Sequence, residues 1–343
     1  MQPASVRFIL TAAVSAAFAL IVVGCSPPMP VDVGGVLQVP RLGSDHAVMS
    51  DGARLPLRRW SAQPRAGMPE TVLLALHGFN NYSNAFAKLG DDLAATGVIV
   101  YAVDQRGFGA GPLPGRWHGV ARMASDLRTL VALLRARHPA ARLLVAGESM
   151  GGAVIMVAAA DGRLAADGLV LIAPAVWARE TMPLYQRLVL DWTARVWPGL
   201  QLTGEGIDRW PSDNVPMLRA MGRDPLVIKA TRVDALWGVT NLMDQALAAA
   251  PRLPALPTLL LYGKRDEIIP KQAYCRLLRD LPRRPSLRLA LYLDGWHMLP
   301  RDLQGARVRA DIAAWVRDPT AALPSGEETA PDSRRLRAFC AGG

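Results

Sequence analysis

Gly147-Glu148-Ser149-Met150-Gly151 is the stretch of this sequence best equipped to do chemistry. It follows the apolar run RLLVA (142–146) and precedes an Ala/Val-rich run over 149–160 that reads as a helix. G-x-S-x-G between a strand and a helix is a nucleophile elbow: the glycines admit a strained turn, and the serine projects at the carboxyl end of the sheet. A serine that merely capped the helix would need neither glycine. A serine hydroxyl is a poor nucleophile until a base takes its proton. An elbow of this kind draws on an acid and then a histidine later in the chain. Asp266 follows the strand-like run TLLLYG (258–263), and His297 follows LRLALYL (287–293). His297 would serve as general base and then general acid. Asp266 would fix its tautomer and steady the imidazolium. The other histidines compete poorly: His46 and His138 follow no late strand, His77 has another role, and His118 is the one rival, in a loop. Asp294 rivals Asp266 but lies awkwardly close to His297 and better suits a loop-shaping role; Glu267 is a weaker rival.

Two further loops bear on the same chemistry. His77-Gly78-Phe79-Asn80 directly follows the strand-like TVLLAL (71–76). Such a loop supplies one oxyanion donor, and the residue after the nucleophile supplies the other. Those donors are the backbone N–H groups of Phe79 and Met150, aimed at a tetrahedral intermediate. His77 would hold the loop rather than react. Asp104-Gln105-Arg106-Gly107-Phe108-Gly109 also ends a strand. Its glycines are a weak phosphate-loop signal, with no helix start and later acid to complete the pattern. It reads as a structural turn in which Asp104 and Arg106 pair.

The elements that must position these residues alternate. Strand-like runs at 71–76, 98–103, 142–146, 169–173, 258–263 and 287–293 are nearly all apolar. Helical runs fall near 85–95, 119–137, 149–160, 271–280 and 304–317, with Leu127, Leu130, Val131 and Leu134 at helical spacing. Apolar strands between helices imply a parallel sheet covered on both faces. A hairpin over 46–60 precedes them. The rhythm breaks over 175–250, which shows no clear strand and holds five of the nine tryptophans. That stretch reads as an insertion after the sixth strand, forming a lid over an acyl pocket rather than ordinary core. The expected organisation is a core over 46–174 and 251–318, a helical cap over 175–250 and a loose tail over 319–343.

The N-terminus carries a different signal. Arg7 precedes an uncharged apolar run, Phe8 to Val23, which is shorter than the roughly 20 residues a spanning helix needs. Basic start, apolar stretch and small residues make residues 1–24 a secretory signal. The run ends Val22-Val23-Gly24-Cys25, which resembles the lipobox of bacterial lipoproteins. That resemblance implies a lipidated Cys25, a stand-off linker over 25–45, and the cell envelope as location. Ser26 in place of Asp favours the periplasmic face of the outer membrane. More than one acyl chain anchors stably.

Composition removes other classes. Of 343 residues, 51% are hydrophobic and 20% charged, too apolar for a disordered chain. Three cysteines exclude a disulfide scaffold and a thiolate zinc cluster. Cys275 and Cys340, which remain after maturation, could pair in an oxidising compartment. The net charge of +10 suits anionic surfaces, but the basic residues are scattered and mark no nucleic-acid interface.

With HGFN (77–80), YAVDQRGFGAG (101–111), GESMGG (147–152), GKRDEIIP (263–270) and DGWHM (294–298) in this order, the chain resembles the α/β-hydrolases of the monoacylglycerol lipase and lysophospholipase group over about 46–318. RDPLV (223–227) in the insertion strengthens the likeness. The resemblance implies an α/β-hydrolase fold, hydrolysis of lipid carboxylic esters, and no metal or organic cofactor. Two features depart from the group: the lipobox, and Trp296 where relatives often carry a smaller residue or Tyr. Fold alone does not decide the reaction. A short-chain carboxylesterase or an aminopeptidase is the alternative. Asp208, Asp213, Asp224 and Asp234 are dispersed among bases rather than clustered, which argues against the aminopeptidase. A non-catalytic lipoprotein scaffold is a third reading, opposed by the intact Ser, Asp and His.

Overall fold

The computed structural model describes residues 27–31, 37–61, 71–204, 208–330 and 333–341. The expected signal segment 1–24 and Cys25 lie outside them.

Six strands form the parallel heart of one sheet: β4 (Thr71–Leu76), β5 (Ile99–Val103), β6 (Arg142–Glu148), β7 (Gly168–Ile172), β10 (Thr258–Gly263) and β11 (Leu287–Tyr292). Their spatial order is β5-β4-β6-β7-β10-β11. Each is buried almost throughout, because helices cover both faces of a parallel sheet. Antiparallel strands β1 (Arg41–Leu42), β2 (His46–Val48) and β3 (Arg54–Trp60) extend the β5 edge, and β12 (Glu328–Thr329) closes the β11 edge.

On one face pack α2 (Val120–Arg137), α3 (Met150–Ala159), α6 (Val233–Ala249) and α7 (Lys271–Asp280). On the other pack α1 (Ala87–Ala94) and α8 (Gly305–Arg317), which buries Trp315 completely. Leu127, Leu130, Val131 and Leu134 all point into the core, as their spacing requires.

Four expectations need correction. The insertion follows the seventh strand, because Arg41–Leu42 adds a strand too short to show a period. The same pairing, with Gln38 N–H bonded to Ser50 O, binds part of the expected linker to the domain. The insertion holds helices α4 (Leu184–Val196) and α5 (Val215–Arg223), but also paired strands β8 (Gln201–Thr203) and β9 (Ala230–Arg232), and α6, inside the expected bounds of the cap, packs on the sheet as core. The tail is not loose. β12 pairs with β11, and α9 (Arg334–Ala341) lays Phe339 against the stacked Tyr262 and Tyr274 rings. Cys340 in α9 is disulfide-bonded to Cys275 in α7. Two apolar residues, Leu336 and Phe339, hold this helix; charged neighbours mask them in the sequence.

Candidate active site

β6 ends at Glu148, and the chain turns sharply into α3 at Ser149. Ser149 has φ 52° and ψ −113°, a conformation an L-residue adopts only under constraint. The flanking glycines follow from close backbone approach. A Cβ on Gly147 would lie 2.4 Å from Gly151 C, and one on Gly151 would lie 2.1 Å from Leu76 O. No other residue fits either place without moving backbone. The turn is pinned by Ser149 N–H to Ile172 O at 2.9 Å and by Ala153 and Ala175 N–H to Ser149 O.

The late loops bring the acid and the base together. Nδ1–H of His297 donates to Asp266 Oδ2 at 2.8 Å. Asp266 Oδ1 accepts from the N–H groups of Ile268 and Ile269 at 2.8 and 2.9 Å, so the carboxylate is held on both oxygens. Close packing explains the meeting: a Cβ on Gly263, at the end of β10, would lie 2.4 Å from Gly295 O and Trp296 O. Ser149, Asp266 and His297 are 8%, 8% and 5% exposed. Burial disfavours the imidazolium, but the charge and hydrogen bond of Asp266 outweigh it and hold the His297 pKa above its ordinary value. Glu148 adds to that effect and Arg301 opposes it.

The rivals stand elsewhere. Asp294 is exposed and pairs with Arg265 at 2.8 Å. Glu267 accepts the N–H of Trp210 at 2.7 Å. His118 bonds Val31 O and Pro112 O.

The HGFN loop lies beside the elbow, since a Cβ on Gly78 would come 3.4 Å from Ser149 Cβ. His77 donates from Nδ1 to Gly78 O at 2.8 Å and accepts at Nε2 from Gln105 N–H at 3.0 Å. Burial holds its pKa down at about 4, although the Gly78 carbonyl and Asp104 pull the other way. His77 is therefore a neutral strut for the loop. Phe79 follows Gly78, and Met150 opens α3, where first-turn N–H groups have no partner within the helix.

The DQRGFG turn is structural, with different partners than expected. Asp104 does not pair with Arg106. It accepts Ser83 N–H at Oδ1 and Ala110 N–H at Oδ2, both at 2.9 Å. Arg106 instead forms two-pronged contacts with Asp51 and Asp126, all three buried. Those carboxylates come from the hairpin and from α2, distances in sequence that no local pattern reveals.

The cap grips the loops that carry Asp266 and His297. Arg209 Nη1 donates to Glu267 O, Met298 N–H to Pro211 O, and Asn214 Nδ2 to Arg301 O. Ser212 Oγ donates to Asp302 Oδ1 at 2.6 Å, while Asp302 Oδ2 accepts Trp296 N–H at 2.8 Å. Burial, despite these bonds, raises the Asp302 pKa to about 6. The sequence carries no signal for this brace, because its partners are dispersed. On the cap's outer side Leu184, Tyr185, Leu188, Val189 and Trp192 of α4 are all exposed, and Trp197 and Trp210 are half-exposed. The α4 part of the insertion is thus not ordinary core, whereas α6 and Trp177 pack with the core. Between cap and core opens a cleft of about 520 Å³, with Tyr82, Met217, Met221, Val227 and Arg301 in its walls. Neither this cleft nor a larger groove of about 750 Å³, beside Met29, Trp117 and Trp237, is lined by Ser149, Asp266 or His297.

Comparison with known proteins agrees with this architecture. The chain is 28% identical to the monoglyceride lipase of Mus musculus over 301 residues, covering 84% of this chain and 95% of the relative. It is 27% identical to the monoacylglycerol lipase of Mycolicibacterium smegmatis, covering 72% and 88%. The solved monoacylglycerol lipase of Paleococcus ferrophilus superposes with a TM-score of 0.64 at 24% identity, covering 78% of this chain and 99% of that one, which shows the α/β-hydrolase fold. The profile of one family, described as serine aminopeptidase, S33, matches residues 67–304. The chain belongs to that family, Hydrolase_4, within the α/β-hydrolases.

Proposed function

We propose that this protein is a serine hydrolase that cleaves carboxylic esters of lipids, monoacylglycerols or lysophospholipids, through an acyl-enzyme on Ser149. The observation that carries the reading is the buried Asp266–His297 pair, at the same end of the sheet as the strained Ser149. With Nδ1–H committed to Asp266, Nε2 is the basic nitrogen of the ring. His297 takes the Ser149 proton as Oγ attacks the ester carbonyl. The carbonyl oxygen, now negative, is met by the Phe79 and Met150 N–H groups. His297 then protonates the leaving alcohol, and water, activated by the same base, releases the fatty acid.

The lipid character of the substrate is supported by the relatives, which are named as monoglyceride lipases, and by the apolar outer face of the cap. The family description names an aminopeptidase. An aminopeptidase needs a free carboxylate for the substrate amine, and three of the four dispersed cap acids are engaged: Asp213 by Leu303 N–H, Asp224 by Tyr82 O–H, and Asp234 by Arg232. The enzyme is lipid-anchored at Cys25, on the periplasmic face of the outer membrane. The Cys275–Cys340 disulfide supports an oxidising compartment.

The test is fatty acid release from monoacylglycerol, lysophospholipid and a short p-nitrophenyl ester, comparing wild type with Ser149→Ala. Loss of long-chain release in the variant is expected. Activity on the short ester alone overturns the lipid reading, and equal activity of both proteins overturns the mechanism. Cys25→Ser is expected to move the protein from the membrane fraction to the soluble one.

A further inference from the structure

Glu148 is the residue between Gly147 and the nucleophile, and its side chain is 3% exposed. Its Oε1 accepts from Arg301 Nη2 at 2.5 Å, across 153 residues of sequence. Arg301 ends a short 3-10 turn, Leu299–Arg301, that immediately follows the His297 loop, and its side chain is 9% exposed. Among the described residues Glu148 Oε2 and Arg301 Nε have no partner, so each charge is opposed chiefly by the other. A buried ion pair is weak as a source of stability, since apolar residues of the same volume hold a fold as well. Its value must be sought in what it connects.

It connects the three loops of the site. Glu148 is covalently next to Ser149, and its Oε1 lies 3.6 Å from where a Cβ on Gly78 would stand. Arg301 fixes the turn behind His297, where its N–H bonds Met298 O at 2.8 Å. It also reaches the cap, through Nη1 to Met221 Sδ at 3.4 Å and through its carbonyl to Asn214.

We propose that the buried Glu148–Arg301 pair is a positioning element for the reaction: it clamps the base loop to the nucleophile elbow and balances the charge around the His297 imidazole. The inference rests on the hydrolase reading above and assigns a second carboxylate and its counter-ion to the same site. Alone, the Glu148 carboxylate would stand beside the loop that must receive a negative oxygen. Arg301 cancels it there, while leaving it close enough to favour the imidazolium.

The groups around His297 are few. Asp266 comes from the loop after β10, Glu148 from the elbow, and Arg301 and Asp302 from its own loop. Asp213 of the cap stands near Asp302, His77 of the oxyanion loop senses Arg301, and Glu267 is engaged by Trp210. Only Glu148 and Arg301 carry opposite, separable influences that a single substitution removes without touching Asp266.

The experiment titrates His297 by 15N NMR of histidine-labelled full-length protein and records kcat and KM against pH for Glu148→Gln, Arg301→Met and the double variant. Glu148→Gln is expected to move the His297 midpoint down, and Arg301→Met to move it up, each by about 0.5 pH or more. The double variant is expected to return near the wild-type midpoint. In each single variant kcat falls about tenfold with KM little changed, and Arg301→Lys restores the midpoint but only part of kcat. Shifts of the same sign, or no shift, overturn the proposal. If Arg301→Met does not fold, the nearly isosteric Glu148→Gln decides alone, because an unmoved midpoint refutes the inference. The NMR titration needs no turnover, so a failure of the hydrolase reading leaves this result legible.

Discussion

Asp266→Asn isolates the acid of the proposed triad with little change of shape. Asp266 Oδ1 is held by two backbone donors, Ile268 and Ile269 N–H. An asparagine keeps its carbonyl oxygen there, which turns its NH2 toward His297 Nδ1. Two donors cannot face each other, so the imidazole moves its proton to Nε2 and Nδ1 becomes the acceptor. Nε2 can then no longer take the Ser149 proton. Loss of the right tautomer costs about 10⁴ in kcat in a comparable triad, which is about 5 kcal/mol in the barrier at 1.36 kcal/mol per tenfold. The pH dependence shifts as well. Asp266 holds the His297 pKa up against burial, so the acid limb of kcat/KM moves to lower pH without it. A group whose folded pKa is raised stabilises the fold below its unfolded value, and that contribution fades as pH rises through the folded one. The variant should therefore melt earlier than wild type at acid pH and approach it as pH rises past the wild-type His297 midpoint. The assay is hydrolysis of a p-nitrophenyl ester across pH, with thermal melts at both ends. Retention of more than about a tenth of wild-type kcat/KM would refute the argument, given the 10⁴ at stake. So would a comparable loss in Asp294→Asn, which removes only an exposed pair with Arg265.

Three further outcomes follow from the packing. Arg106→Met leaves Asp51 and Asp126 buried without their cation and should cost about 3–5 kcal/mol in urea unfolding; a cost under about 1 kcal/mol contradicts the arrangement. Gly151→Ala drives a Cβ into Leu76 O, so the elbow must shift; stability should fall by roughly 1–3 kcal/mol and ester hydrolysis should collapse, and normal turnover would show that the turn is not as tight as drawn. Cys340→Ser frees α9 and should lower stability by about 2–4 kcal/mol, with early protease cleavage in the tail and unchanged kcat. Loss of kcat there would mean that the Tyr262–Tyr274 stack transmits strain to the site.

The elbow was legible because its demands are local. Gly147 and Gly151 are forced by atoms within a strand, a turn and the strand alongside, so they appear as a motif. The strands holding Asp266 and His297 were legible for a similar reason: burial on both faces makes their runs continuously apolar. The long helices showed their spacing. By contrast β8 and β9 have three residues each, and β1 has two, too few to carry a period. The tail misled because its binding residues, Leu336 and Phe339, are outnumbered by charges.

What remained hidden is pairing between charges. Asp104 and Arg106 are near neighbours in sequence and look like partners, yet Arg106 turns to Asp51 and Asp126, and Asp104 to the backbone of Ser83 and Ala110. Glu148 meets Arg301, and Asp302 meets Ser212, with no pattern linking either pair. Order along the chain already placed Ser149, Asp266, His297 and the HGFN loop, the proposed machinery, because each sits at the end of a strand whose burial writes itself into composition. Which charge neutralises which, and how the cap braces the acid and base loops, was decided only by the folded chain. Side chains reach partners through space, and a single ionic contact leaves no periodicity behind.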